Sequence, residues 1–341
     1  MYVFGNEVNP PLPYQGATAM SSNHSNHSNC PVYISDEVRN FQTFLIVPVF
    51  LAGLGLNLAA LLVFYRQRSV WTDTHVYMVN LALADTTLVV LLLVRLYDSI
   101  HELQAPRLCS LLVVLHYANM YGSIFTVTAI SVQRFLAVRF PYYARRAGSK
   151  KRAACVCVVI WLVIAGVCLV FREDNAPENW HTCFERNQPL PLDFLMSLEL
   201  LGYVVPLLTM LLCSSQTIYI LLRTSRENAR SQALPGAGAG SPPRMQDHRR
   251  SVAVVGANLA VFVVCFTPIH AALLLRYLET SRDPQDCRRY VLLHNVYLVT
   301  ELVATTNCFL DAVGYYFLCR DFRKELLPVR RTQVESQEYS L

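Results

Sequence analysis

Charge is what this chain has least of. Only 16% of its 341 residues are charged, against about 25% in an average soluble domain. The deficit is concentrated in long apolar runs and the hydrophobic share is 53%, so the membrane class is favoured over a soluble globule. No CxxC pair with metal-ligand spacing occurs, and the eleven cysteines are too scattered for a small disulfide scaffold. Cys155-x-Cys157 falls inside an apolar run, where free cysteine behaves as a small hydrophobe. Met1 to Gly16 have neither a basic start nor an apolar core, so no cleavable signal peptide is read. No nucleophile–base or metal constellation stands out, which argues against an enzyme. The basic residues sit in short loops, so the net charge of +5 is not a nucleic-acid signal. No internal repeat of transporter type is evident.

Seven apolar segments are present, each near the roughly 20 residues needed to cross a bilayer. They run over 41–65, 77–100, 109–138, 153–171, 193–222, 251–278 and 292–318. Helix is the reading that satisfies their backbone groups in lipid without closing a barrel. Residues 1–40 are polar and rich in Pro, Asn and Ser, reading as a disordered tail. They carry two N-x-S glycosylation acceptors, at Asn23 and Asn26, whereas Asn29-Cys30-Pro31 fails the pattern. With the tail outside, nineteen Lys/Arg fall on the inner side against nine on the outer side, leaving out Arg134 in the helix end. This excess supports an extracellular N-terminus. The third inner loop, 224–245, reads as a flexible Pro/Gly-rich linker. Beyond the last span, Phe322, Leu326 and Leu327 recur at helical spacing among basic residues, suiting a short amphipathic helix on the inner face. Cys319 before it is either a palmitoylation site or an unmodified interfacial cysteine. The expected division is an extracellular tail (1–40), a seven-helix domain (41–318) and an amphipathic helix with a cytoplasmic tail (319–341).

The third span organises the rest. It opens at Cys109, carries Asn119, Tyr121, Ser123 and Thr126 along an oily helix, and ends in Gln133-Arg134. An arginine in such a run is costly unless buried in protein or wetted by a cavity. Asn119 and Ser123 are four apart and share a face. Asp85 and Asp311 are acids inside neighbouring spans. Two carboxylates with amide and hydroxyl oxygens and no basic partner nearby call for a cation or a proton.

Each span contributes one marker, in order: Gly53-x-x-x-Asn57; Asn80-Leu-Ala-Leu-Ala-Asp85; Cys109 with Arg134 further on; Trp161; Pro206; Cys265-Phe-Thr-Pro268; and Asn307-Cys-Phe-Leu-Asp311-Ala-Val-Gly-Tyr315. Any one is weak, but the ordered set resembles the rhodopsin-like (class A) G-protein-coupled receptors over nearly the whole chain. The runs from Asn119, Ala260 and Asn307 resemble the group that holds the lysophosphatidylinositol and kynurenic-acid-responsive receptors. The fold implied is an all-α membrane protein, a seven-helix bundle with a short amphipathic eighth helix, in the plasma membrane.

The resemblance also implies roles. It pairs Cys109 with Cys183 and Cys30 with Cys287 as disulfides. It makes Asp85, Asn119, Ser123 and Asp311 a site for an allosteric Na⁺, with Asn57 and Asn307 extending the network; a water-filled hydrogen-bond network is the alternative. No other cofactor is expected. Arg134 becomes the contact for a heterotrimeric G protein of the inhibitory or twelve/thirteen class, and arrestin a second inner partner. Gln133 stands where the family usually has an acid, which implies a weakly locked resting state unless other inner contacts compensate. Ala312 stands where most of the family has proline, suggesting a straighter lower seventh helix. Phe266, Pro268 and Tyr315 are the switch candidates.

Ligand candidates on the outer half are Arg95, His116, Tyr117, Met120, Tyr121, Arg172, His181, Glu199, His270, Arg276, Tyr297, Leu298 and Glu301. Several arginines and histidines together favour a small anionic or lysolipid-like ligand, because guanidinium matches carboxylate and phosphate. Arg95 is read as a pocket cation, with outward snorkelling its alternative, and Glu301 as a carboxylate that pairs with Arg95 or Arg276 instead of leaving them to a ligand. A ligand-binding scavenger and, least favoured, a transporter are the competing functions.

Overall fold

Hydrocarbon offers a backbone no hydrogen bonds, so each span must close its own ladder, and these segments do so as helices. A computed structural model of the chain describes residues 35–101, 106–142, 150–170, 191–232, 243–283 and 285–318. Helix α1 covers Asp36–Arg66, α2 Asp73–His101, α3 Pro106–Arg139 and α4 Lys150–Val170. Helix α5 runs as Leu192–Ser197, a π-helical stretch Leu198–Val204, and Val205–Gln232. Helix α6 is Pro243–Arg282, and α7 comes in two pieces, α7a (Cys287–Thr305) and α7b (Asn307–Leu318). A 3₁₀ turn, Arg68–Val70, links α1 to α2. Seven helices are long and apolar enough to cross a membrane, and no strand occurs among the described residues.

The helix ends differ from the apolar runs for local reasons. Ser35 accepts a hydrogen bond from the Val38 amide, and Asp36 and Glu37 fill the first turn, so α1 starts at Asp36 and residues 36–40 leave the expected tail. The expected linker at 224–245 is likewise shorter, because α5 continues to Gln232 and α6 begins at Pro243. Arg223 and Glu227 support that extension as an exposed pair one turn apart. Asp286 caps α7a by accepting from the Arg289 amide at 3.0 Å. The expected amphipathic helix, Cys319, Cys30, Cys183, Asn23, Asn26, Arg172 and His181 lie outside the described residues.

Two helices depart from the α ladder. Pro206 has no N–H to offer the Gly202 carbonyl, and just above it the ladder widens so that the Val205 amide reaches Leu200 O. In α7 the break falls at Thr306. Its amide is shared between the Leu302 and Val303 carbonyls, at 3.2 and 3.1 Å, and its hydroxyl donates back to Val303 O at 2.6 Å. Thr305 also bonds back, to Glu301 O at 2.9 Å. Such back-bonding competes with the ladder and bends helices. α7b then passes Ala312 as uninterrupted helix.

One apolar core joins α3, α5, α6 and α7 around Ile124, Met210, Phe262, Phe266, Ile269 and Leu298. Small residues let the backbones approach, as membrane packing requires. Gly122 faces the Trp161 ring, and a Cβ on Gly202 would stand 2.6 Å from Tyr121 Cε1. Asn80 ties three helices, taking a bond from Trp161 Nε1 at 2.9 Å and giving one to Thr126 Oγ1 at 3.1 Å.

Gly202→Ala is therefore expected to cost about 1–3 kcal/mol by overpacking. Gly55→Ala, where an added Cβ meets nothing within 4 Å, should leave stability unchanged or slightly raised. Melting temperatures of the purified protein in detergent check both, and equal values for the two variants would refute the close α3–α5 contact.

Candidate functional site

At the end of the bundle that carries Cys109, α2, α3 and α7a converge on one carboxylate. Glu301 is 2% exposed, receives Arg95 Nη2 at 2.8 Å and meets His116 Nε2 at 3.0 Å. Arg95 is 4% exposed, so it does not snorkel outward; it is buried in an ion pair. A buried carboxylate needs such company, since its desolvation costs several kcal/mol. Between Arg95 and Arg276, the pairing is with Arg95. Arg276 instead donates to Tyr290 Oη at 2.8 Å and lies over the rings of Tyr290 and Tyr297, at 5.2 and 5.7 Å. The hydroxyls of Tyr117 and Tyr297 meet across the bundle.

A second polar group joins α5 to α6. His270 Nδ1 lies 3.2 Å from Glu199 Oε1, a residue carried on the π-helical turn. Tyr203, from the same turn, stacks on the His270 ring at 4.3 Å and donates to Thr267 Oγ1 at 2.7 Å. Tyr121 meets the His270 ring edge-on at 6.0 Å. Phe262 stacks on the other side of Tyr203, and Phe266, one turn from both Phe262 and His270 along α6, packs edge-on to Phe262. Met120 and Leu298 are buried in the core beside these rings.

Below Phe266 a small cavity is lined by Asp85, Asn119, Ser123, Asn307 and Cys308, with His116 at its margin. Its volume of about 10 Å³ is room for roughly one water-sized particle. Both Asp85 carboxylate oxygens, Asn119 Oδ1 and Ser123 Oγ are buried without a hydrogen-bond partner. Asp85 itself is fully buried. These oxygens are the donor type a hard cation takes, so they fit Na⁺. The fourth residue expected there, Asp311, lines the adjoining cavity, and Asn307, which borders both, donates to it at 2.7 Å. Asn57 is bonded to the carbonyls of Gly53 and Cys308, both at 2.9 Å.

At the opposite end, Gln133 is half-buried and accepts from Thr74 Oγ1 at 3.5 Å, the outer limit for a hydrogen bond. Its contact is with the start of α2. Pro268 lies within α6, two residues beyond Phe266, and Tyr315 lies in α7b. Cys109 and Cys287 are each engaged in a disulfide whose partner falls outside the described residues, while Cys155, Cys157, Cys168, Cys213, Cys265 and Cys308 are free.

Sequence reading passed over several buried polar residues. His294 is fully buried with neither ring nitrogen hydrogen-bonded, and Asp98 and Gln42 are 1% and 5% exposed. A signal for His294 existed: it lies two turns before Glu301 and shares its helix face with Tyr297 and Glu301.

Seven spanning helices, polar side chains gathered inside them and an arginine at the end of the third define a seven-helix membrane receptor rather than an enzyme. The family model "7 transmembrane receptor (rhodopsin family)" matches residues 56–315, and the chain belongs to that family. It is a G-protein-coupled receptor and a multi-pass plasma-membrane protein. Mouse G-protein coupled receptor 35 is 34% identical, over 85% of this chain and 89% of the relative. Human G-protein coupled receptor 55 is 28% identical over 89% and 92%, and mouse lysophosphatidic acid receptor 4 is 29% identical over 84% and 77%. These relatives agree with the group drawn from the motifs.

Glu301→Gln should destabilise the receptor by about 3–5 kcal/mol, because it strips the charge partner from a buried guanidinium. Replacing Arg95 and Glu301 together by Leu should recover most of that loss. A double-mutant cycle on detergent melting temperatures measures the coupling, and additive losses would show that the two charges do not depend on each other.

Proposed function

We propose that the receptor binds a small anionic or lysolipid-like ligand at its Cys109 end and activates heterotrimeric G proteins at its Arg134 end. The observation that carries the reading is the buried set of cationic and aromatic side chains between α2, α3, α6 and α7a, in a chain of this family. Arg276, which donates to Tyr290 and lies over the rings of Tyr290 and Tyr297, is the cation we assign to the anion, while Arg95 is bound to Glu301. The similarity to lysophosphatidic acid receptor 4 supports the lysolipid class. On this reading the N-terminus is extracellular, Asn23 and Asn26 carry glycans, and Cys319 is palmitoylated. Disulfides Cys109–Cys183 and Cys30–Cys287 hold the second and third outer loops. Na⁺ among Asp85, Asn119 and Ser123, with Asp311 in the next cavity, stabilises the resting state. The inner partners are a G protein of the inhibitory or twelve/thirteen class and arrestin.

Activation is a population shift: the ligand must bind the inner-open conformation more tightly than the closed one. Phe266 sits between the two polar regions, so a displacement of α6 at Phe266 alters the wall of the Asp85 cavity. Gln133 contributes no charge to the inner end of α3, and a neutral amide restrains an arginine less than a carboxylate does. High basal coupling is the consequence, and it is also what a ligand-binding scavenger with weak or constitutive coupling would exhibit.

A panel of lysolipids, hydroxy acids and nucleotides against G-protein biosensors tests the main reading. Arg276→Ala should weaken the active compound at least tenfold, and Arg95→Ala should act chiefly by lowering surface expression. Ligand-dependent dissociation of no G protein would leave the scavenger reading standing. Gln133→Asp is expected to lower ligand-free signalling several-fold at matched surface expression; an unchanged basal level would overturn the weak-lock reading.

A further inference from the structure

His294 has no hydrogen bond, and that is costly where it sits. It is fully buried in α7a, and neither Nδ1 nor Nε2 has a partner. A buried polar group left in this way is an exception in native proteins and calls for a partner such as a ligand, an ion or an ordered water. Its surroundings point to the first. The ring lies against Tyr297 at 6.4 Å, and the Arg276 guanidinium covers the same tyrosine at 5.7 Å. Arg276 and Glu301 both act electrostatically on the imidazole, from α6 and from two turns further along α7a. Glu301 is already occupied by Arg95 and His116.

A neutral imidazole presents one N–H donor and one acceptor nitrogen, on different edges of the ring. Satisfying both needs an acceptor oxygen on one edge and a donor hydroxyl on the other. We infer that His294 is a specificity-determining residue that reads an anionic headgroup bearing a neighbouring hydroxyl, its N–H on the anionic oxygen beside Arg276 and its bare nitrogen on the hydroxyl. This rests on the reading of an anionic ligand at the Cys109 end and sharpens it. A glycerophosphate with a free hydroxyl has the required pair of groups; a simple alkyl phosphate has only the anion. Arg276 supplies charge attraction to either, so it sets affinity for the anion, and His294 separates the two.

The test uses the full-length receptor purified in detergent, with oleoyl lysophosphatidic acid and oleyl phosphate as probes and the melting temperature against concentration as readout. Expected is tighter binding of lysophosphatidic acid by about tenfold in the wild type. In His294→Leu the preference should collapse to within about twofold, and His294→Asn, which keeps a donor and an acceptor, should restore part of it. Melting of the unliganded variants, measured alongside, separates a folding defect from a lost contact. A preference that persists in His294→Leu overturns the inference while leaving the anionic-ligand reading intact. Equal binding of the two probes by the wild type also overturns it. Failure of both probes to bind the wild type overturns the anionic-lipid reading and the inference with it.

Discussion

A carboxylate that enters a membrane must bring its polar partners with it, and Glu301 finds them on two other helices. Arg95 of α2 and His116 of α3 meet it at 2.8 and 3.0 Å, so the register of α7a against both neighbours is fixed by one buried group. The positions of Tyr297, His294 and Tyr290 follow, because they ride on the same helix. The tyrosine cradle for Arg276 then falls into place between α6 and α7a. Hydrocarbon makes a misplacement expensive in a way that water would not, and this gives the polar interior its specificity.

The same reasoning divides the buried polar residues into two populations. Asn80, Trp161 and Thr126 are bonded to one another and serve to assemble the bundle. Asp85, Ser123, His270 Nε2, Tyr121 Oη and His294 retain unused bonding capacity. The first population is satisfied within the bundle; the second keeps atoms that can still take a hydrogen bond. A receptor's resting state must remain responsive to small differences in binding free energy, and groups of the second kind can supply them.

The fold was largely legible in the sequence because lipid imposes a simple rule: long apolar runs become helices. The seven runs, their order and the family markers needed no knowledge of contacts. The ends of the elements were less legible, because the Ser35 cap and the polar continuations of α5 and α6 are local chemistry outside the apolar stretches. The membership of the polar set was readable, since a charged or polar residue in an oily helix is conspicuous. Its pairing was not: Glu301 faces both Arg95 and Arg276 as far as spacing goes, and side-chain geometry assigns it to Arg95. His294 escaped notice because a lone histidine near a helix end looks ordinary until its burial is seen. Ala312 drew attention to the lower part of α7, whereas two consecutive threonines above it set the break.

That break has a mechanical meaning. α7a packs on α6 and α1 and reaches α2 through Glu301, and α7b packs on the same three helices, so the joint falls inside one continuous set of neighbours. Thr306 sits at the joint with its hydroxyl 3.8 Å from Cys265 Sγ, next to Phe266 in α6. A helix with an unbroken ladder transmits torque along its whole length. At Thr306 that ladder is shared between two carbonyls and loosened, and α6 touches the joint. The bend there sets the angle between the segment that carries Glu301 and the one that carries Asp311 and Tyr315, and α6 is in contact with it.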